Sequence, residues 1–365
     1  MKYTGIELLK KLCEINAPTG REDKVAEFVV DQTEGLCEYI PDRVGNLICL
    51  VKGDKRENPV KVMVSAHMDE VGFMIKSIDS DGYIKFLIDG GIDSKVLSGR
   101  SVVFFNDENT VKGVIASKAI HSLSPSERKE ALDADKLYVD IGANSEEEAK
   151  KLLDIGDYGT FDSDFVLFGE NNRMMKGKAI DDRIGCAVMI EIMRELKETG
   201  KKLPFDVYFA FTTREEIGNS GALCAAQAIA PDYSIVLEST AVADIAGVPE
   251  NSKVARLGDG GAISLMDRST IYDRRFVDLA LEVAKTNTIK AQIKKYVSGG
   301  NDAGHIHQSG SGVKTLAISA PTRYLHSACC VAAVDDYFSI KELVRAILEQ
   351  GNFEDKVGKN NVYNA

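Results

Sequence analysis

Residues 72–91, GFMIKSIDSDGYIKFLIDGG, decide the architecture. Short apolar runs broken by Asp-Gly and Gly-Gly turns read as closely spaced strands. Residues 101–117, SVVFFNDENTVKGVIAS, repeat that texture around an Asn-Asp turn, and an acidic helical patch at 145–153 interrupts it. The block from 72 to about 167 therefore predicts a small β-barrel or sandwich. On either side of it helices and strands alternate, the texture of an α/β domain. Upstream, Ile6, Leu8, Leu9 and Leu12 share one helical face closed by Pro18-Thr19-Gly20, and a second helix starts near Glu22. Strands are predicted at 45–51 and 60–66. Downstream, residues 182–199 form an apolar helix with Ile184, Val188, Ile192 and Leu196 at turn spacing and Gly200 past its end. Buried strands are expected at 207–213 and 234–237, an edge strand at 317–321 and a last helix at 339–350. The predicted class is α/β, with residues 1–71 and 168–365 forming one domain and 72–167 a β domain inserted in it.

Composition narrows the function classes. With 365 residues, 44% hydrophobic and 28% charged, the chain is an ordinary globular protein with a sizeable core. A net charge of −11 argues against nucleic acid or an anionic membrane as partner and is compatible with bound cations. Seven cysteines without a Cys-x-x-Cys pair, the absence of a signal-peptide core and of any 18-residue apolar run predict reduced thiols and a cytoplasmic location. No Gly-x-Ser-x-Gly elbow or recognisable catalytic cysteine setting supports a covalent nucleophile.

Chemistry concentrates where apolar runs end. Strand 60–66 delivers His67, and Asp69 two residues on can hydrogen-bond its imidazole, fixing the tautomer. KAIDDRIG, 178–185, sets Asp181 and Asp182 just before the long helix; they read either as helix capping or with Asp182 bridging two cations. YFAFTT, 208–213, runs into Glu215-Glu216, whose side chains diverge, so one can ligate a metal while the other stays free as a general base. Glu238 closes SIVLE and His326 follows PTRYL, and a carboxylate at the end of a buried strand needs a partner. Together these oxygen and nitrogen donors suit a pair of hydrolytic divalent ions. His305 and His307 sit in a Gly-rich loop and could bind metal, though such a pair more often lines or supports a site, and His121 reads as a structural or interface residue.

The stretches AHMDEVGF, GKAIDDRIG, REEIGNSGA, SGGNDAGHIH and PTRYLHS resemble the tetrahedral, glutamyl and deblocking aminopeptidases, and weaker echoes such as LYVDIGANSEEEA extend the resemblance along nearly the whole chain. Relatives have also been labelled cellulases, which these residues do not support. The resemblance implies a three-layer α/β/α phosphorylase/hydrolase-like catalytic domain with an inserted PDZ-like β-barrel domain. It implies two divalent metal ions, Zn or Co, bridged by Asp182, with His67 and Glu238 at one and Glu216 and His326 at the other. Glu215 would be the general base that activates a bridging water, Asp69 the orienter of His67, and the Asp181–Asp182 peptide cis. Peptides would be the substrates, and the chain a homo-oligomer, commonly a tetrahedral dodecamer built through the β domains. Glu238 departs from the more usual Asp, and Arg214 and Asn219-Ser220 also differ from the commonest pattern. A dinuclear deacylase or carboxypeptidase, using Arg100, Lys178 or Arg323 to grip a carboxylate, and a non-catalytic metal-binding scaffold are the rival readings.

Overall fold

The structure, a computed structural model, describes residues 2–54, 57–126 and 133–358; residues 359–365, assigned above to the α/β domain, lie outside the described residues. Helices α1 (Gly5–Glu14) and α2 (Asp23–Thr33) precede strands β1 (Glu38–Pro41), β2 (Leu47–Val51) and β3 (Lys61–His67). Next come β4 (Gly72–Ile78), β5 (Ile84–Asp89), β6 (Ser101–Phe105), β7 (Thr110–Ala116), β8 (Tyr138–Asp140), the short helix α3 (Glu146–Lys150) and β9 (Tyr158–Phe161). The chain returns through β10 (Val166–Phe168), β11 (Met174–Gly177), α4 (Ile180–Thr199), β12 (Asp206–Thr212), α5 (Ser220–Ile229) and β13 (Tyr233–Ala241). It closes with β14 (Gly261–Ile263), α6 (Arg274–Thr286), β15 (Ala291–Ile293), α7 (Ala303–Ile306), β16 (Lys314–Arg323), β17 (Cys330–Ala333), α8 (Val334–Gln350) and α9 (Phe353–Lys356).

Strands β4 to β9 close into a barrel in the order β4-β5-β8-β7-β6-β9, every pair antiparallel. Its own core is aromatic: Phe73 meets Phe86 and Phe161 edge-on, each at 5.2 Å between ring centres. The other strands form one eleven-stranded sheet, whose centre is the parallel set β12-β3-β13-β16; the remaining pairs are antiparallel except β14 with β15, which is parallel. Helix α4 packs on β3 and β13 together with α1, α2 and α8, while α5 and α7 pack on β12, β3 and β16. Covered on both faces, β3 buries six of its seven residues, so the Val60-Val62-Val64 alternation did not mark a solvent face. Helix α4 is buried nearly all round, and Gly200 ends it at φ +63°, the left-handed geometry that glycine favours.

Three elements differ from the sequence reading. Strand 317–321 is central, not an edge: β16 pairs with β13, β14 and β17. Strand β13 continues three residues beyond Glu238, which therefore lies within a strand, opposite Ser319. Helix α8 begins five residues earlier than expected, with Asp335 and Asp336 in its first turn, where the helix dipole favours acids. No helix among the described residues is long and apolar enough to cross a membrane.

Candidate metal centre

The parallel strands deliver their carboxyl ends to one place, where open α/β sheets put their sites. His67 is the last residue of β3, and Glu215 and Glu216 follow β12. Glu238 stands in β13, and His326 lies between β16 and β17. His67 is 1% exposed, with Nδ1 at 3.1 Å from the backbone oxygen of Asp69 and 3.4 Å from its carboxylate. Both neighbours accept, so Nδ1 carries a hydrogen, and Nε2 faces the carboxylates of Asp181 and Glu238. His326 repeats the arrangement: its Nδ1 donates to the Gly91 backbone oxygen at 3.1 Å, at the end of barrel strand β5.

The carboxylate between the two imidazoles is that of Asp181. One of its oxygens is 3.3 Å from His67 Nε2 and the other 3.3 Å from His326 Nε2. This corrects the placement of Asp182 as the bridging residue. Asp182 instead accepts the backbone N–H of Gly185 at 3.2 Å, three residues on, as a helix-capping acid does, so its carboxylate is turned into α4. The peptide between the two aspartates is cis. Glu238 Oε1 lies 3.4 Å from His67 Nε2, and Glu216 Oε2 3.4 Å from His326 Nε2. Three groups of donor atoms, each within 4.8 Å of one another, result: His67 with Asp181 and Glu238; His67 with Glu215 and Glu216; and Asp181 with Glu216 and His326.

Asp69 does more than orient His67. Its carboxylate accepts the Thr19 hydroxyl at 2.8 Å and the backbone N–H groups of Glu215 and Glu216 at 3.1 and 3.2 Å. One buried acid thereby sets the imidazole and the glutamate doublet together. Sequence reasoning missed Thr19 and Gly91, and Asp302 as well, although it lay inside the quoted SGGNDAGHIH. Asp302 is fully buried and accepts the Thr212 hydroxyl at 2.7 Å. His305 and His307 belong to none of the donor groups among the described residues; His307 Nδ1 donates to the Ala303 carbonyl. His121 lies exposed in a single turn of the barrel domain.

The electrostatics describe a site short of positive charge. Burial pushes the carboxyls of Glu215, Glu216 and Glu238 well above the usual range, Glu215 also facing Glu238, and Glu216 and Glu238 both facing Asp181. Asp181 is held well below it despite burial, because both imidazoles hydrogen-bond it. Burial alone would lower His326, but Asp181 and Glu216 overcome that and lift it to about 10. Glu238 Oε2 and Asp182 Oδ2 are buried without any hydrogen-bond partner. The orphaned oxygen of Glu238, on a carboxylate beside His67 and among other acids, is what a divalent cation would satisfy.

The cations proposed for a carboxylate grip are all engaged. Lys178 is buried and donates to Glu70 at 2.6 Å, Arg323 pairs with Asp244 at 2.8 Å, and Arg100 donates to the Val96 carbonyl at 3.0 Å. Glu70 in turn accepts the Ala17 N–H and the Thr160 hydroxyl, and buried Arg183 donates to the carbonyls of Met68 and Leu12. These groups tie α1, the barrel and α4 to the strand end that carries His67.

A sheet-end cluster of two imidazoles and shared carboxylates defines the class of metal-dependent hydrolases. The chain belongs to the M42 glutamyl aminopeptidase family, whose model matches residues 45–343. It is 33% identical to the lysyl aminopeptidase of Pyrococcus furiosus over 94% of this chain and 96% of that one. Among solved structures, a TET aminopeptidase from a marine sediment archaeon of the Thaumarchaeota is 34% identical, with a TM-score of 0.93 over 97% of this chain and 98% of that one. The TET1 peptidase of Pyrococcus horikoshii, which can assemble into a tetrahedron or a large octahedral shell, is 32% identical, with a TM-score of 0.82 over 94% and 98%. The protein is a peptide hydrolase of the aminopeptidase kind.

Proposed function

We propose that this protein is a dinuclear-metal aminopeptidase that removes N-terminal residues from short peptides, with Glu215 as its general base. The observation that carries the reading is the division of Asp181 between two imidazoles, one oxygen toward each, with a separate acid on either side. His67, Asp181 and Glu238 would hold one Zn or Co ion, and Asp181, Glu216 and His326 the other. Glu238 suits the first site because one of its oxygens has no protein partner. When bound, such ions polarise a carbonyl and lower the pKa of water toward neutrality. Glu215 then takes the proton from the attacking water and gives it to the leaving amine. Asp69 keeps Glu215 and Glu216 in register with His67.

Engagement of Lys178, Arg323 and Arg100 by protein partners counts against a carboxypeptidase grip. Seven free cysteines accord with a cytoplasmic setting. By analogy with the shells of its relative, the chain forms a homo-oligomer in which the barrel makes contacts and limits access; light scattering that returns a monomer would remove this part. The test of the activity is hydrolysis of one short peptide, free and N-acetylated, by protein loaded with Zn or Co. Stepwise release from the free N-terminus is expected. Removal of the acetyl group would favour a deacylase, and no hydrolysis across varied N-termini a non-catalytic scaffold. Glu215→Gln should keep its metal and lose about 10²- to 10⁴-fold in turnover; near-normal turnover would remove Glu215 from the role.

A further inference from the structure

We propose that Asn219 is a positioning residue for Glu215, holding the base by a side-chain amide that is itself anchored to the end of β12 through Asp302. The proposal rests on the reading of Glu215 as general base. The chain folds back after Glu215, whose carbonyl accepts the N–H groups of both Gly218 and Asn219. That turn brings Asn219, at φ +59°, beside the carboxylate four residues before it. Asn219 Nδ2 donates to Glu215 Oε1 at 2.9 Å and to Asp302 Oδ1 at 3.1 Å. An amide NH₂ has two hydrogens, and here each goes to a different carboxylate. The other oxygen of Asp302 accepts the Thr212 hydroxyl at 2.7 Å, and Thr212 is the last residue of β12. Glu215 is thus tied by one oxygen through Asn219 and Asp302 to a buried strand, and its Oε2 remains for proton transfer.

The residue type matters twice. Few side chains adopt a left-handed backbone at small cost, Asn foremost, and its short amide carries the two hydrogens needed to donate to two acids at once. Without the donor, Glu215 and Asp302 would face each other as two buried acids, and Glu215 would swing to relieve the repulsion.

Two substitutions keep the backbone. Asn219→Asp preserves size and φ tolerance and exchanges a donor for an acceptor; Asn219→Gly preserves φ and deletes the amide. Each should lower kcat by about 10- to 100-fold, the cost of a base displaced by around 1 Å, with KM and Zn content essentially unchanged. In a Glu215→Gln background, Asn219→Gly should slow the enzyme no further, since its effect passes through the missing base. Wild-type kcat in both single variants, or a further fall in the double variant, would overturn the proposal. Near-normal turnover of Glu215→Gln would instead defeat the underlying reading, so the two failures are distinguishable.

Discussion

Asp181 and Asp182 carry the same carboxylate on adjacent α-carbons, and the backbone decides which one meets the imidazoles. Asp182 sits where α4 turns helical and uses its oxygen on the N–H of Gly185, while Asp181 keeps both oxygens for His67 and His326. A Cβ placed on Gly185 would come within 2.4 Å of Asp182 Oδ2, so that carboxylate is packed against its own helix. On the proposed dinuclear reading, Asp181→Asn should therefore cut the bound Zn from two ions to one or none, whereas Asp182→Asn should retain more of it. Measured by atomic absorption after dialysis, equal losses in the two variants would show that Asp182 also holds metal. The sequence could not make this distinction, because an acid pair before a helix is compatible with capping by either member. Nor could it foresee the Glu238 orphan oxygen, which depends on the neighbours that parallel pairing brings to β13.

At the scale of elements, what was legible had a local cause. The break at Gly72, the apolar face of α1 and the Gly200 stop of α4 all follow from periodicity and turn chemistry, and each is present. His67 at a strand end was legible for the same reason. What failed depends on partners far along the chain: β16 read as an edge because its pairing with β13 and β14 lies outside any local window. The same holds for the barrel's part in the site. Gly90 and Gly91 read as a turn after β5, yet they lie against Glu216 and His326, and Gly91 supplies the carbonyl that fixes the imidazole. A Cβ at Gly91 would stand 3.1 Å from His326 Nδ1, tighter than ordinary contact. Gly91→Ala should displace the ring and weaken one of the two proposed Zn sites about 10- to 100-fold, the usual cost of disturbing a ligand's supporting hydrogen bond. Titration calorimetry would show the weaker site loosened and the other near normal; two unchanged sites would mean that the barrel plays no part in holding His326.

For the whole molecule, the donor set joins segments that the chain otherwise keeps apart. His67 ends β3, Asp181 opens α4, Glu216 follows β12, Glu238 stands in β13, and His326 connects β16 to β17. Their mutual repulsion and burial hold three glutamates well above their ordinary pKa, a cost that a cation between them would offset. A ligand that binds only the folded chain stabilises it by RT ln(1 + [L]/Kd), about 4 kcal/mol when present at a thousand times its Kd. Zn at that excess should raise the unfolding midpoint by several degrees over chelated protein, since each kcal/mol moves a large domain by roughly 2–4 °C. The same addition to Asp181→Asn should raise it little, because the acid facing both imidazoles has lost its charge. Scanning calorimetry of the four samples decides the matter. A Zn-induced rise equal in wild type and variant would place the stabilising ion elsewhere on this acidic chain, and would separate metal binding from the cluster at the sheet's end.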